Sequence, residues 1–232
     1  MAYRVGHSLK GEKKMNLPNK ITVSRIVLIF VMIIAMFVLA FIPDFHVKSI
    51  GNSRINLVYL IFTIVFIIAA FTDMLDGKIA RKCNLVTDLG KFLDPIADKL
   101  LNDAMMIFLL VPQAYAWEQR RNPLMLTILL ICVVVMIARD LIVDALRLVA
   151  VKKNIVIAAN IFGKAKTVLQ MIAIPMLLLN DWPFHYMYPN CPAKYEALQV
   201  SNWFFYAATV MSIVSGIIYV YQNRNVFKEF SK

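Results

Sequence analysis

Four aspartates, Asp73, Asp76, Asp94 and Asp98, stand between long apolar runs in the stretch TDMLDGKIARKCNLVTDLGKFLDPIADK, from Thr72 to Lys99. Ionisable side chains placed between such runs are expensive and mark function. Asp73 and Asp76 are three residues apart, and Asp94 and Asp98 are four apart. At about 3.6 residues per turn, each pair shares one helix face. Two helix ends joined by a short basic turn would aim four carboxylates at one point. Such a cage suits hard divalent cations, which prefer carboxylate and phosphate oxygens. Four carboxylates carry about four negative charges, enough to balance two divalent ions, and two ions about 4 Å apart serve displacement at phosphorus.

The full spacing is D-x-x-D-G-x-x-A-R, eight further residues, then G-x-x-x-D-x-x-x-D. Gly77 and Ala80 remove bulk beside the first carboxylate pair, and Gly90 does so one turn before the second. Small residues there permit close helix packing or close approach of a ligand. Arg81 adds a cation able to hold phosphate oxygens in bidentate fashion. A lone pair of aspartates near a helix end is more often a cap or a solvated charge. Asp88 and Asp103 fit that plainer reading. Asp103 lies five residues past Asp98, about 140° around a helix, and is expected to point away from the shared face.

The elements that must position these carboxylates are membrane spans. Of the 232 residues, 60% are hydrophobic, and the mean hydropathy is +0.68. Apolar runs of near-spanning length extend from about Ile21 to Ile42, Ile55 to Ala70, just after Asp94 to Val111, Leu124 past Ile137 (continuing as an amphipathic stretch to Val151), Ile161 to Leu179 and Trp203 to Tyr221. The expectation is an all-α polytopic membrane protein of six spans, with Lys164 and Lys166 interrupting the fifth. Residues 1–14 read as a flexible basic tail and residues 15–232 as one membrane domain. With the N-terminus inside, twenty of the 25 Lys and Arg fall on inner segments and five on outer loops. That bias predicts both termini and the aspartate stretch on the cytoplasmic side. The net charge of +11 is then a property of inner loops and does not call for a nucleic-acid partner. Cys83, Cys132 and Cys191 lack metal-ligand spacing.

A second group of residues bears on what the metal centre would act on. The runs IARDLIVDALRLVAVKK and NIFGKAKTVLQ place Arg139, Arg147, Lys164 and Lys166 near the inner face. Arg139 and Arg147 are eight residues apart, so they fall near one helix face. Cations beside a metal centre suit a substrate with its own phosphate. The plainer reading, contact with anionic headgroups or topology alone, is the better one for Lys152 and Lys153.

Through Asp73, Asp76, Gly77, Ala80, Arg81, Gly90, Asp94 and Asp98, the stretch resembles the signature of the CDP-alcohol phosphotransferase family. The resemblance implies a six-helix, usually homodimeric membrane enzyme that displaces CMP from a CDP-linked alcohol with Mg2+ or Mn2+, two ions being expected. It implies metal binding by the four aspartates, with Asp98 also the base for the attacking hydroxyl. Gly77, Ala80, Arg81 and Gly90 would surround the nucleotide and diphosphate. The run I-A-R-D-L…L-R…G-K-A-K-T-V, with the opening N-L-P-N-K-I-T-V-S-R, resembles the branch that joins CDP-diacylglycerol to glycerol 3-phosphate. That likeness reaches from about Asn16 to Lys232, with Asp140 and Ala145 where members often carry Glu and Gly. Arg139, Arg147 and Lys164 would then hold the acceptor phosphate, and Asn19, Thr22 and Arg25 match the opening motif. Branches that use a lipid phosphate (cardiolipin synthase) or a phosphorylated inositol also fit a cationic pocket. A divalent-cation transporter is the reading from another class. It leaves Gly77, Ala80 and Arg81 without a task, and its acidic cluster sits at one face only.

Overall fold

The computed structural model describes residues 17–41, 55, 57–82, 88–110, 123–152, 160–187 and 198–223. Among them are six α-helices and no strand. These are α1 (Leu17–Phe41), α2 (Leu57–Lys82), α3 (Asp88–Phe108), α4 (Pro123–Lys152), α5 (Ile161–Leu178) and α6 (Val200–Gln222). The basic tail, 1–14, lies outside the described residues, as do Cys83 and Cys191. The fifth helix runs through Lys164 and Lys166, and Asn160 caps its start, its Oδ1 accepting from the Phe162 N–H at 3.1 Å.

Among the described residues, four helices are long and apolar enough to cross a membrane, over Lys20–Leu39, Pro123–Ala150, Ile161–Leu178 and Val200–Gln222. The apolar part of α2 is shorter, Leu57–Thr72, and α3 is not among the four. The reason is visible in α3 itself, which carries Asp88, Lys91, Asp94, Asp98, Lys99 and Asp103 along its length.

Side-chain burial shows which solvent the bundle is built for. Val31, Ile34 and Phe37 are exposed on the outside of α1, while Thr22 and Arg25 of the same helix are buried. Ile61, Ile64, Ile67, Ile68 and Phe71 are exposed on α2, whereas Thr63 is buried. Apolar groups outside and polar groups inside are what a hydrocarbon surrounding demands, since polar atoms must find partners within the bundle. The chain is a membrane protein.

Packing brings α3 to α6 together around one polar space. Helices α5 and α6 pack against each other most extensively, and α4 also lies on α6. On α6 the buried Ser201, Phe205, Ala208, Ser212, Ser215 and Tyr219 recur every three or four residues, a largely small-residue seam that lets helices approach closely. Helix α1 packs on α3 and α2. Phe108 at the end of α3 meets the rings of Tyr59 and Phe62 on α2, with centroids 6.0 and 5.5 Å away. Between α5 and α6 the chain reverses through Asn180 and Asp181, both at positive φ, a region that Asn and Asp tolerate best among residues with a side chain. Asp181 is buried, and its Oδ1 accepts from the Ser201 N–H at 2.6 Å, in the first turn of α6.

Candidate active site

A cavity of about 260 Å³ opens between α3, α4, α5 and α6. From α3 it receives Asp98, Lys99, Asn102 and Asp103. These sit at i, i+1, i+4 and i+5, an arc of about 140° on a helix. The expectation that Asp103 points away is therefore corrected: it lines the same cavity as Asp98. The cavity spans that arc from Asp98 to Asp103, with α4, α5 and α6 forming its other walls.

Helix α4 contributes Arg139, Asp140, Asp144 and Arg147, spread over about two turns. Helix α5 adds Lys164 and Lys166, and α6 adds Ser215 and Tyr219. The fold thus brings Asp98, Arg139, Arg147 and Lys164 to one place from three separate stretches of sequence. Asp73, Asp76, Gly77, Ala80 and Arg81 lie on α2, and Gly90 and Asp94 on α3. Their helical backbone is described and their side chains are not, so the meeting of four carboxylates lies outside the described residues. Among the described side chains, no group of three or more His, Cys, Asp or Glu could hold a metal ion.

The charges in the cavity fall into two sets. Arg139 donates from Nη1 to Asp140 Oδ1 at 2.8 Å and from Nη2 to Ser215 Oγ at 2.5 Å. The buried Lys166 ammonium donates to the other oxygen of Asp140. Lys99 of α3 pairs with Asp144 of α4. These cations are held by protein carboxylates. Arg147 and Lys164, by contrast, are exposed, and neither side chain has a hydrogen bond or ion pair among the described residues.

Asp98 is oriented from its own helix. Asn102, 8% exposed, donates its amide to Asp98 Oδ1 and to the Asp98 main-chain oxygen, each at 3.0 Å. Both partners are acceptors, which fixes the amide nitrogen on that side. Reading the sequence missed Asn102, although its place one turn beyond Asp98 was a usable signal. It also missed Asp140 as a shared partner, and Ser215 and Gly216, which carry no chemical signal in an apolar helix.

Comparison with known proteins identifies the family. A sequence model of the CDP-alcohol phosphatidyltransferase family matches residues 15–216. The chain belongs to that family, a family of transferases. It is similar to the CDP-diacylglycerol–glycerol-3-phosphate 3-phosphatidyltransferase of Bacillus subtilis, 40% identical over 215 residues that cover 92% of this chain and 97% of that protein. The protein of the same name in Mycoplasma genitalium is 30% identical over 232 residues, covering 92% of this chain and 87% of its own. That of Rickettsia bellii is 31% identical over 204 residues, covering 88% and 93%.

Proposed function

We propose that the protein transfers the phosphatidyl group of CDP-diacylglycerol to glycerol 3-phosphate, giving phosphatidylglycerophosphate and CMP in phospholipid biosynthesis. The observation that carries this reading is the single cavity in which Asp98 of the signature meets Arg139, Arg147 and Lys164. The names of the relatives point to the same two substrates.

In this reading Arg147 and Lys164 grip the acceptor phosphate beside the fixed Arg139 guanidinium. That grip points the glycerol hydroxyl toward Asp98, which takes its proton. The freed oxygen attacks the phosphorus that bears diacylglycerol, and the bond from that phosphorus to the CMP oxygen breaks. Holding two reactants in line supplies a large part of such an acceleration. Arg81, with Gly77, Ala80 and Gly90 leaving room, holds the diphosphate and nucleotide. Asp73, Asp76, Asp94 and Asp98 would hold two Mg2+ or Mn2+ ions. The set is wholly carboxylate, it sits on helices joined in sequence, and its last member turns into the cavity. When bound, such ions polarise the diphosphate and offset charge on the departing CMP.

The architecture in this reading is six spans with both termini cytoplasmic, a homodimer in the cytoplasmic membrane, and the site at the inner interface. A donor with two acyl tails and a water-soluble acceptor meet only there. The test is CMP release from CDP-diacylglycerol by purified protein, with a panel of acceptors and with or without a divalent ion. Release that needs both the ion and glycerol 3-phosphate is expected. Equal turnover with free glycerol, or strong preference for inositol phosphate, would sink the acceptor assignment.

A further inference from the structure

The guanidinium of Arg139 is enclosed by residues that the aspartate signature does not include. Ser215 of α6 is fully buried and meets Nη2 at 2.5 Å. The aliphatic stem of Arg139 crosses Gly216 so closely that a Cβ there would stand 3.0 Å from Cγ and 3.7 Å from Nε. From α5, Gly163 leaves the space in which the serine hydroxyl lies: a Cβ at 163 would come within 3.2 Å of Ser215 Oγ and 3.6 Å of Nη2. Asp140 takes Nη1 and is itself anchored by Lys166, so it cannot swing away.

An arginine that samples many rotamers loses that freedom when it binds a phosphate. One already held loses little, and the saving appears as affinity. We propose that Ser215 and Gly216 on α6, with Gly163 on α5, are positioning residues that pre-set the Arg139 guanidinium for the phosphate of the acceptor. The inference rests on the reading of Arg139 as an acceptor-phosphate ligand. It assigns α6, which carries none of the signature, a direct part in acceptor affinity. The competing account is that these small residues serve only the packing of α5 on α6. Ser212 separates the two accounts. It is equally buried in the same seam, one turn from Ser215, and does not line the cavity.

The test uses full-length protein in defined detergent micelles, with steady-state CMP release measured while each substrate is varied in turn. Thermal unfolding midpoints are recorded for the same variants. Ser215→Ala and Gly216→Ala are expected to raise KM for glycerol 3-phosphate about tenfold, the scale of one hydrogen bond to a charged group. The KM for CDP-diacylglycerol and kcat should stay within about twofold. Ser212→Ala should leave both KM values unchanged, whatever it does to the unfolding midpoint. In an Arg139→Ala background, Ser215→Ala should add nothing, because its effect passes through the arginine.

An equal effect of Ser215→Ala and Ser212→Ala on KM overturns the inference, as does an additive effect in the Arg139→Ala background. If Gly216→Ala does not fold, the serine pair still decides. A wild-type protein that prefers another phosphate-bearing acceptor overturns the glycerol 3-phosphate reading, and the same comparison is then made on that acceptor's KM. Equal use of free glycerol overturns both.

Discussion

Asn102 holds Asp98 by two contacts of 3.0 Å, one to the carboxylate and one to the main-chain oxygen of the same residue. In the proposed mechanism Asp98 takes a proton from the acceptor hydroxyl, a task that needs a fixed orientation. Asn102→Leu keeps the approximate size and removes the donor. The expected result is a fall in kcat of tenfold or more, since a hydrogen bond to a charged group is worth about 1.5–3 kcal/mol. An unchanged kcat would show that Asp98 is held by something other than Asn102.

The aspartates should separate by the kind of loss. Asp73→Asn, Asp76→Asn and Asp94→Asn are expected to abolish divalent-dependent CMP release, because each removes a charged oxygen ligand. Asp103→Asn should lower kcat/KM for glycerol 3-phosphate several-fold and leave the ion requirement intact, because Asp103 lines the cavity. Titrating activity against Mn2+ for all four variants checks this. A silent Asp103→Asn would remove it from the acceptor site.

The two phosphate sites should also come apart. Arg147→Ala removes a charge-assisted contact of about 1.5–3 kcal/mol, roughly 10- to 150-fold in apparent affinity. If the contact is made equally in ground and transition states, the loss appears in KM for glycerol 3-phosphate alone. Arg81→Ala should do the reverse. Steady-state kinetics with each substrate varied is the measurement, and a rise confined to the CDP-diacylglycerol term in Arg147→Ala would end the assignment.

A fourth expectation concerns stability alone. The Asp181 carboxylate caps the first turn of α6 from outside the helix, at 2.6 Å from the Ser201 nitrogen. Asp181→Ala should cost about 0.5–2 kcal/mol, the range for lost helix caps. It should lower the thermal midpoint without changing either KM, since neither residue lines the cavity. A changed KM at full stability would mean that this turn communicates with the site.

The aspartate stretch stood out because charge between apolar runs is rare and because its spacing matches a helix, and its Asp98 lines the cavity. Arg139, Arg147 and Lys164 were legible for a related reason: cations at helical spacing beside that stretch. Asp103 was misjudged because a face drawn through Asp94 and Asp98 ignores where neighbouring helices stand. Lys164 and Lys166 are two residues apart, yet one is exposed and one is buried against Asp140. Their neighbours in sequence do not tell them apart; the helices packed against them do. Ser215 lies 76 residues from Arg139, and nothing in a run of small and apolar residues announces that contact. The span count was harder for the opposite reason, since α3 is too charged to read as apolar from hydropathy alone.

Ser215 belongs at once to the seam between two helices and to the wall of the cavity, and Gly216 beside it lies against the stem of Arg139. A residue under two constraints has few acceptable replacements, whereas Arg147 and Lys164 line the cavity with exposed side chains. Evolutionary drift toward a differently shaped phosphorylated acceptor therefore has unequal routes. It runs through the exposed positions of α4 and α5, Arg147 and Lys164. Helix α6 stays as the fixed jaw, and relatives with changed acceptor preference should differ least there.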